Sequence, residues 1–105
     1  MIQPKPYTAE ECRQKLYAQL RATAKYWLNE SRATTEAERM DGLLFSILNI
    51  FDGSTMGMPA MDIRLAPHPD DKQFLINRNE RWFKPGMLIN NCAMHEEWHA
   101  SAKKI

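Results

Sequence analysis

Two histidines one helical turn apart are the residues of this sequence whose spacing most directly suggests chemistry. His95-Glu96-Glu97-Trp98-His99 matches the pattern H-E-x-x-H, in which two imidazoles on one face of a helix bind zinc and the glutamate acts as a base. The metal ligands of this interpretation are His95 and His99, joined by Cys92 on the same helix. Glu96 is then the catalytic base. One hypothesis is therefore a zinc-binding protein or a small zinc hydrolase.

A catalytic zinc site needs three protein ligands and an open coordination position, and the two histidines supply only part of this set. Because six residues follow the motif, we expect a third ligand upstream, either at Cys92 or within residues 68–71. The competing interpretation is that the motif is the solvated flank of a helix that packs through Met94 and Trp98. That interpretation predicts no cofactor.

Methionines beside acidic residues mark a second candidate site, between Asp52 and Asp62. Methionine has an unbranched side chain that repacks around different partners, so exposed methionines are typical of adaptable protein-binding surfaces. We predict a protein contact surface at Asp52, Met56, Met58 and Asp62. In the alternative interpretation, the methionines fill gaps in the core.

Charge is nearly balanced over the 105 residues, with 14 basic and 13 acidic side chains. No overall field is present to attract nucleic acid, which we therefore do not expect as a partner. The charges are nevertheless segregated: residues 36–71 carry −5, whereas residues 1–35 and 72–105 each carry +3. This distribution indicates either ion pairs between the segments or an acidic surface that binds a basic partner.

Membrane insertion is not expected, because the longest strongly apolar stretch, Leu43–Phe51, is about half the length of a membrane span. The first residues lack the apolar segment and cleavage site of a secretory signal. We therefore expect a cytoplasmic protein.

The elements that must position both sites are predicted to be mainly helical. Capping boxes begin at Thr8 and Thr35 and open helices over residues 9–29 and 36–52. The second helix has the strongest apolar periodicity of the chain, so we expect it to form the centre of the core. Valine, a residue typical of sheets, is absent, which favours helices over strands.

The rest of the chain is less regular. Apolar and polar residues alternate from Met61 to Leu65, which predicts a short strand. A brief third helix beginning at Asp70 or Asp71 is one interpretation of the next segment, and a strand over residues 73–76 is the other. A last helix over residues 92–102, capped by Asn90 or Asn91, carries the H-E-x-x-H motif.

The predicted architecture is α+β and mostly α. It has two long antiparallel helices, a small strand element and a C-terminal helix. These elements are expected to form a single compact domain over residues 1–105, with a flexible N-terminus at residues 1–7.

The segment Gly42–Gly53, with Met58-Pro59 and Met94-His95-Glu96 after it, resembles a group of small uncharacterised bacterial and phage proteins. These share a G-x-x-F-S-I-L…D-G helix and loop and a closing H-E segment, and the resemblance covers residues from about 20 to 99. The resemblance implies a fold rather than a reaction. It also implies that the zinc pattern is incidental, since the residue matching His99 is usually aromatic in that group.

The sequence therefore predicts a non-catalytic, protein-binding accessory factor of bacterial or phage origin, such as an inhibitor of a host protein. A protein partner is expected, and the chain is a monomer or a homodimer. No cofactor is expected in this interpretation. The alternative is the zinc protein that uses His95, Glu96 and His99.

Overall fold

Four helices make up the regular structure of the chain. The computed structural model describes residues 4–100, apart from the side chain of His99. The helices are α1 (Ala9–Asn29), α2 (Glu36–Phe51), α3 (Asp71–Asn77) and α4 (Met94–Ala100). The two long helices thus lie within one residue of their predicted bounds. Residues 101 and 102, predicted to continue the last helix, lie outside the described residues.

Local capping explains where the long helices begin. The Thr8 hydroxyl accepts from the backbone N–H of Glu11, whose carboxylate accepts in return from the N–H of Thr8. At α2 the Thr35 hydroxyl accepts from the N–H of Glu38 in the same way. The Glu38 carboxylate reaches one residue further back, to the N–H of Thr34, and still satisfies a donor at the helix start.

The predicted α+β class is wrong, because residues 4–100 contain no strand. The segment from Met61 to Leu65 does alternate between half-buried and exposed side chains as expected. It forms only one isolated antiparallel bridge, between Arg64 and Leu88. Alternation in the sequence indicates which side chains face the protein. A strand also needs a neighbouring segment whose backbone N–H and C=O groups form a continuous series of hydrogen bonds with it.

Asn90 supplies the reason why the pairing stops. Its side-chain amide accepts from the N–H of Ile63, 2.8 Å away, and donates to the carbonyl of Met61. A side chain thus stands where the backbone of a second strand would continue the ladder. Asn90 is therefore a clamp on residues 61–63 and not the predicted cap of the last helix.

Helix α2 is the central element, because α1 and α4 both pack against it. Trp27 of α1 covers Gly42 and donates its indole N–H to the Ser46 hydroxyl at 2.8 Å. Gln19, earlier in α1, lies beside Gly57, beyond the end of α2. The contacts proceed in opposite directions along the two helices, as the predicted antiparallel pair requires.

Helix α4 packs against a different side of α2 from α1 and is fixed at two points. Trp98 donates its indole N–H to Asp41, and His95 bonds Asp52 and lies edge-on to the Phe45 ring. Helix α3 packs against no other helix in the part of the chain that the structure describes.

The chain covers little of its own apolar surface. Among the described residues, only Ala33 and Ile50 form the buried core, and Met40 and Leu44 of α2 are 60% and 40% exposed. The radius of gyration is 17.9 Å, compared with about 13 Å for a compact chain of this length. The predicted central helix is therefore in the centre but is open on one face. The single domain over residues 1–105 stays a prediction.

No helix among the described residues combines the length and the apolar character needed to cross a bilayer.

Gly42 gives the first test of the packing of α1 on α2. A methyl group at this position would lie 2.5 Å from the Trp27 ring, so we expect Gly42→Ala to lower the free energy of unfolding by about 1–2 kcal/mol. Helix propensity alone predicts the opposite sign, a gain of about 1 kcal/mol. Urea unfolding followed by circular dichroism measures the difference. In a Trp27→Leu background the same substitution should stabilise, and stabilisation in the wild-type background would contradict the contact.

Candidate functional site

A buried carboxylate and a histidine meet where α2 ends and α4 begins. Asp52 Oδ2 lies 2.6 Å from His95 Nδ1 and 2.8 Å from the backbone nitrogen of His95. The Asp52 side chain is 5% exposed and the His95 side chain is 17% exposed. One carboxylate oxygen thus accepts from both the imidazole and the first turn of α4.

A tight turn at the end of α2 positions Asp52 beside the first turn of α4, where His95 lies. Gly53 adopts a φ of 80° and ends α2 immediately after Asp52. A side chain at Gly53 would collide with Ala60, since a Cβ there would lie 2.7 Å from the Ala60 Cβ. Asp52 therefore faces α4 at a sharp turn that glycine permits, and it caps α4 from 43 positions away in sequence.

The surroundings of Asp52 favour the ionised form of its carboxyl group. Burial by itself would raise the pKa of the Asp52 carboxyl, but the backbone N–H and ring of His95, together with the N–H of Met94, lower the pKa below its usual value. Asp52 therefore stays ionised at neutral pH. An ionised carboxylate at this distance requires Nδ1 to carry a proton, so in the neutral imidazole Nε2 is the nitrogen with the lone pair.

The pair lines a surface groove of about 540 Å³, with Ser54 and Cys92 also on its wall. Among the described residues, the His95 ring is hydrogen-bonded to Asp52 and to neither of these nucleophiles. A base without a bonded nucleophile lacks the central part of a hydrolytic site. The geometry thus positions α4 and does not assemble a catalytic triad.

The predicted zinc ligands are not tested as a set, because one of them, His99, has a side chain outside the described residues. No group of three or more His, Cys, Asp or Glu side chains capable of holding a metal ion occurs in the described part of the chain. The Cys92 thiol donates to Glu97 at 3.2 Å, and this bond, burial and the carboxylate charges raise the pKa of Cys92. Glu96 is exposed.

The predicted protein contact residues occupy different environments. Met56 is 95% exposed, whereas Met58 is half-buried. Asp62 is exposed and forms an ion pair with Arg64 at 3.2 Å. Asp52 is not a surface residue, because it is committed to His95. Only part of the predicted surface is therefore free to touch another protein.

Comparison of the chain with protein family models, with curated proteins and with solved structures finds no match. Functional inference therefore starts from the geometry of the described residues.

The Asp52 carboxylate makes stability depend on pH. Because the pKa of Asp52 is lower in the folded protein, its contribution is complete above the unfolded value of about 3.9 and is lost as the pH falls through the folded pKa. We expect Asp52→Asn to cost about 2 kcal/mol at neutral pH and to flatten the decline in stability below about pH 4. Urea unfolding across pH 2–7 is the measurement. The exposed Asp62→Asn is the control, and an equal effect of both substitutions would refute this role.

Proposed function

We propose that this protein is a non-catalytic accessory factor that binds another protein. The observation that carries the proposal is Met56, a large apolar side chain that is 95% exposed in the segment that the sequence marked for protein contact. A single exposed apolar residue is ordinary, but one at the tip of an ordered loop can insert into a pocket of a partner.

The loop geometry supports this role. Gly53 and Gly57, on either side of Met56, have φ angles of 80° and 98°, which only glycine adopts at low cost. The Ser54 N–H donates to the carbonyl of Asn49, and the N–H of Met61 donates to the carbonyl of Phe51. Both ends of the loop are thus anchored on α2, so Met56 is presented from a braced turn and loses little entropy on binding.

The cellular location that we propose follows from the resemblance to small bacterial and phage proteins. We place the protein in the cytoplasm of a bacterium, where an accessory factor of this kind blocks or redirects a host protein. Neither a membrane nor nucleic acid is required by this role.

Affinity capture from bacterial host lysate tests the contact. We expect Met56→Asp to reduce the captured partner by about tenfold or more, because it places a charge in an apolar pocket. Thermal unfolding should be unchanged, since the side chain contacts solvent. Leu28→Asp, at another exposed apolar position (72%), is the matched control. Equal capture by wild type and Met56→Asp would refute the proposal.

A zinc-binding protein is the second candidate, and one observation favours it. Asp52 holds the His95 ring at Nδ1, as the outer carboxylate of a carboxylate–histidine–zinc group does, and Nε2 is left for a metal. His95 and His99 would hold the ion in this case. Hydrolysis with Glu96 as base needs a further ligand.

Elemental analysis of untagged protein from zinc-replete medium distinguishes the two candidates. If zinc is bound, the protein contains one equivalent, which His95→Asn removes and Cys92→Ser retains, because the Cys92 thiol is bonded to Glu97. Metal-free protein from such medium would exclude the second candidate.

A further inference from the structure

Residues 66–85 leave the rest of the chain at Leu65 and return to it at Gly86. We call this segment the arm. Two backbone hydrogen bonds join the residues at its two ends: the N–H of Leu65 donates to the carbonyl of Met87, and the N–H of Gly86 donates to the carbonyl of Leu65. Within the arm, Pro67 and Leu75 are half-buried and every other residue is exposed. The arm contains α3, which packs against no other helix among the described residues.

The arm exposes apolar side chains that the chain itself does not cover. These are Phe74 (56%), Ile76 (43%), Trp82 (40%) and Phe83 (64%). A helix of seven residues is not stable in water on its own propensity, since isolated helices need about 12–15 residues even to be marginal. Burial of an apolar face is the usual source of the missing stability, so we expect another surface to cover α3.

The charge of the arm limits what that surface can be. The arm contains four basic and three acidic side chains; two of the acidic residues, Asp70 and Asp71, lie at the start of α3, so the part from Lys72 to Pro85 is net basic, with one acidic side chain. The Lys72 ammonium lies 4.3 Å from the centre of the Trp82 ring, and the Arg78 guanidinium lies 5.3 Å from that of Phe74. Each cation occupies one face of its ring, where it competes with a nucleic acid base for stacking. A surface that is apolar and flanked by carboxylates is complementary.

The exposed face of α2 combines apolar side chains with carboxylates. Glu36, Met40 and Leu44 follow one another at intervals of four residues and are all exposed, with Met40 at 60% and Leu44 at 40%. Two carboxylates near this face, Glu36 and Glu38, are exposed, whereas Asp41 accepts from Trp98 of α4. The named contacts with α1 and α4 involve Asp41, Gly42, Phe45 and Ser46, and Met40 and Leu44 stay partly exposed beside them.

The uncovered area is large enough for a stable interface. The accessible surface of the chain is 8812 Å², roughly 2,800 Å² more than the value of about 6,000 Å² that is typical of a compact monomer of this mass. A standard interface buries about 800 Å² on each partner, and obligate dimers bury more. The excess therefore fits an obligate assembly.

We propose that a second copy of this chain is the partner, with the arm of each protomer lying on the exposed face of α2 of the other. A two-fold arrangement brings the basic, aromatic arm onto the acidic, apolar helix face twice. The net charge of +1 gives two copies little reason to repel each other. This interface is separate from the Met56 loop and does not depend on the function proposed for that loop.

Sedimentation equilibrium of the untagged chain over a dilution series tests the assembly. We expect twice the chain mass of 12.2 kDa. Phe83→Asp in the arm and Met40→Asp on α2 should each weaken the dimer by about 30-fold, as expected for central apolar contacts. Met56→Asp lies outside the interface and should leave the dissociation constant unchanged.

Three results would overturn the proposal: a monomer at every concentration, a dimer unaffected by both substitutions, or an arm that binds a single-stranded oligonucleotide while the chain stays monomeric. If either variant does not fold, hydrogen exchange of the wild type decides instead. Amide protection in α3 should rise with protein concentration across the dissociation midpoint. Protection that is independent of concentration would contradict coverage by a second copy.

Discussion

Contact with α2 is the constraint on which the described structure depends. Helix α1 is held to it by the Trp27 ring on Gly42, and α4 is held by the carboxylates of Asp41 and Asp52. These attachments use two sides of the helix and leave a third side open. Since Ala33 and Ile50 alone form the buried core among the described residues, the fold has little apolar burial with which to offset the entropy of ordering the chain.

The long helices were predictable because their signals are local. Thr8 and Thr35 cap the first turns within three residues of themselves, and Gly53 ends α2 through its own φ. The strand was predicted wrongly because alternation over residues 61–65 is a local property, whereas a ladder depends on a distant partner. That partner is a short backbone segment from Gly86 to Ile89 together with the side chain of Asn90, which no periodicity indicates. The apolar stripe of α2 was expected to lie in the core, but Met40 and Leu44 are 60% and 40% exposed, and sequence alone does not state whether this chain or another one covers them.

The candidate site was only partly predictable for the same reason. His95 attracted notice through its spacing from His99, yet its described partner is Asp52, 43 residues away. Asp52 was expected as a surface contact because it stands among methionines and acids. Its position at the end of α2, followed by a glycine, is the signal that could have identified it as a residue with a structural role. Met56 was placed in a loop, but the sequence left open whether the methionines fill the core or form a contact surface; in the structure Met56 is 95% exposed.

The proposed dimer would complete the core of each chain by association. The unfolding midpoint in urea, measured over a wide range of protein concentrations, tests this claim most directly, because a dimer that unfolds to separate chains gains stability by mass action. The account predicts a midpoint that rises steadily with concentration. A single cooperative transition whose midpoint stays constant on dilution would show that one chain is stable alone and would contradict it.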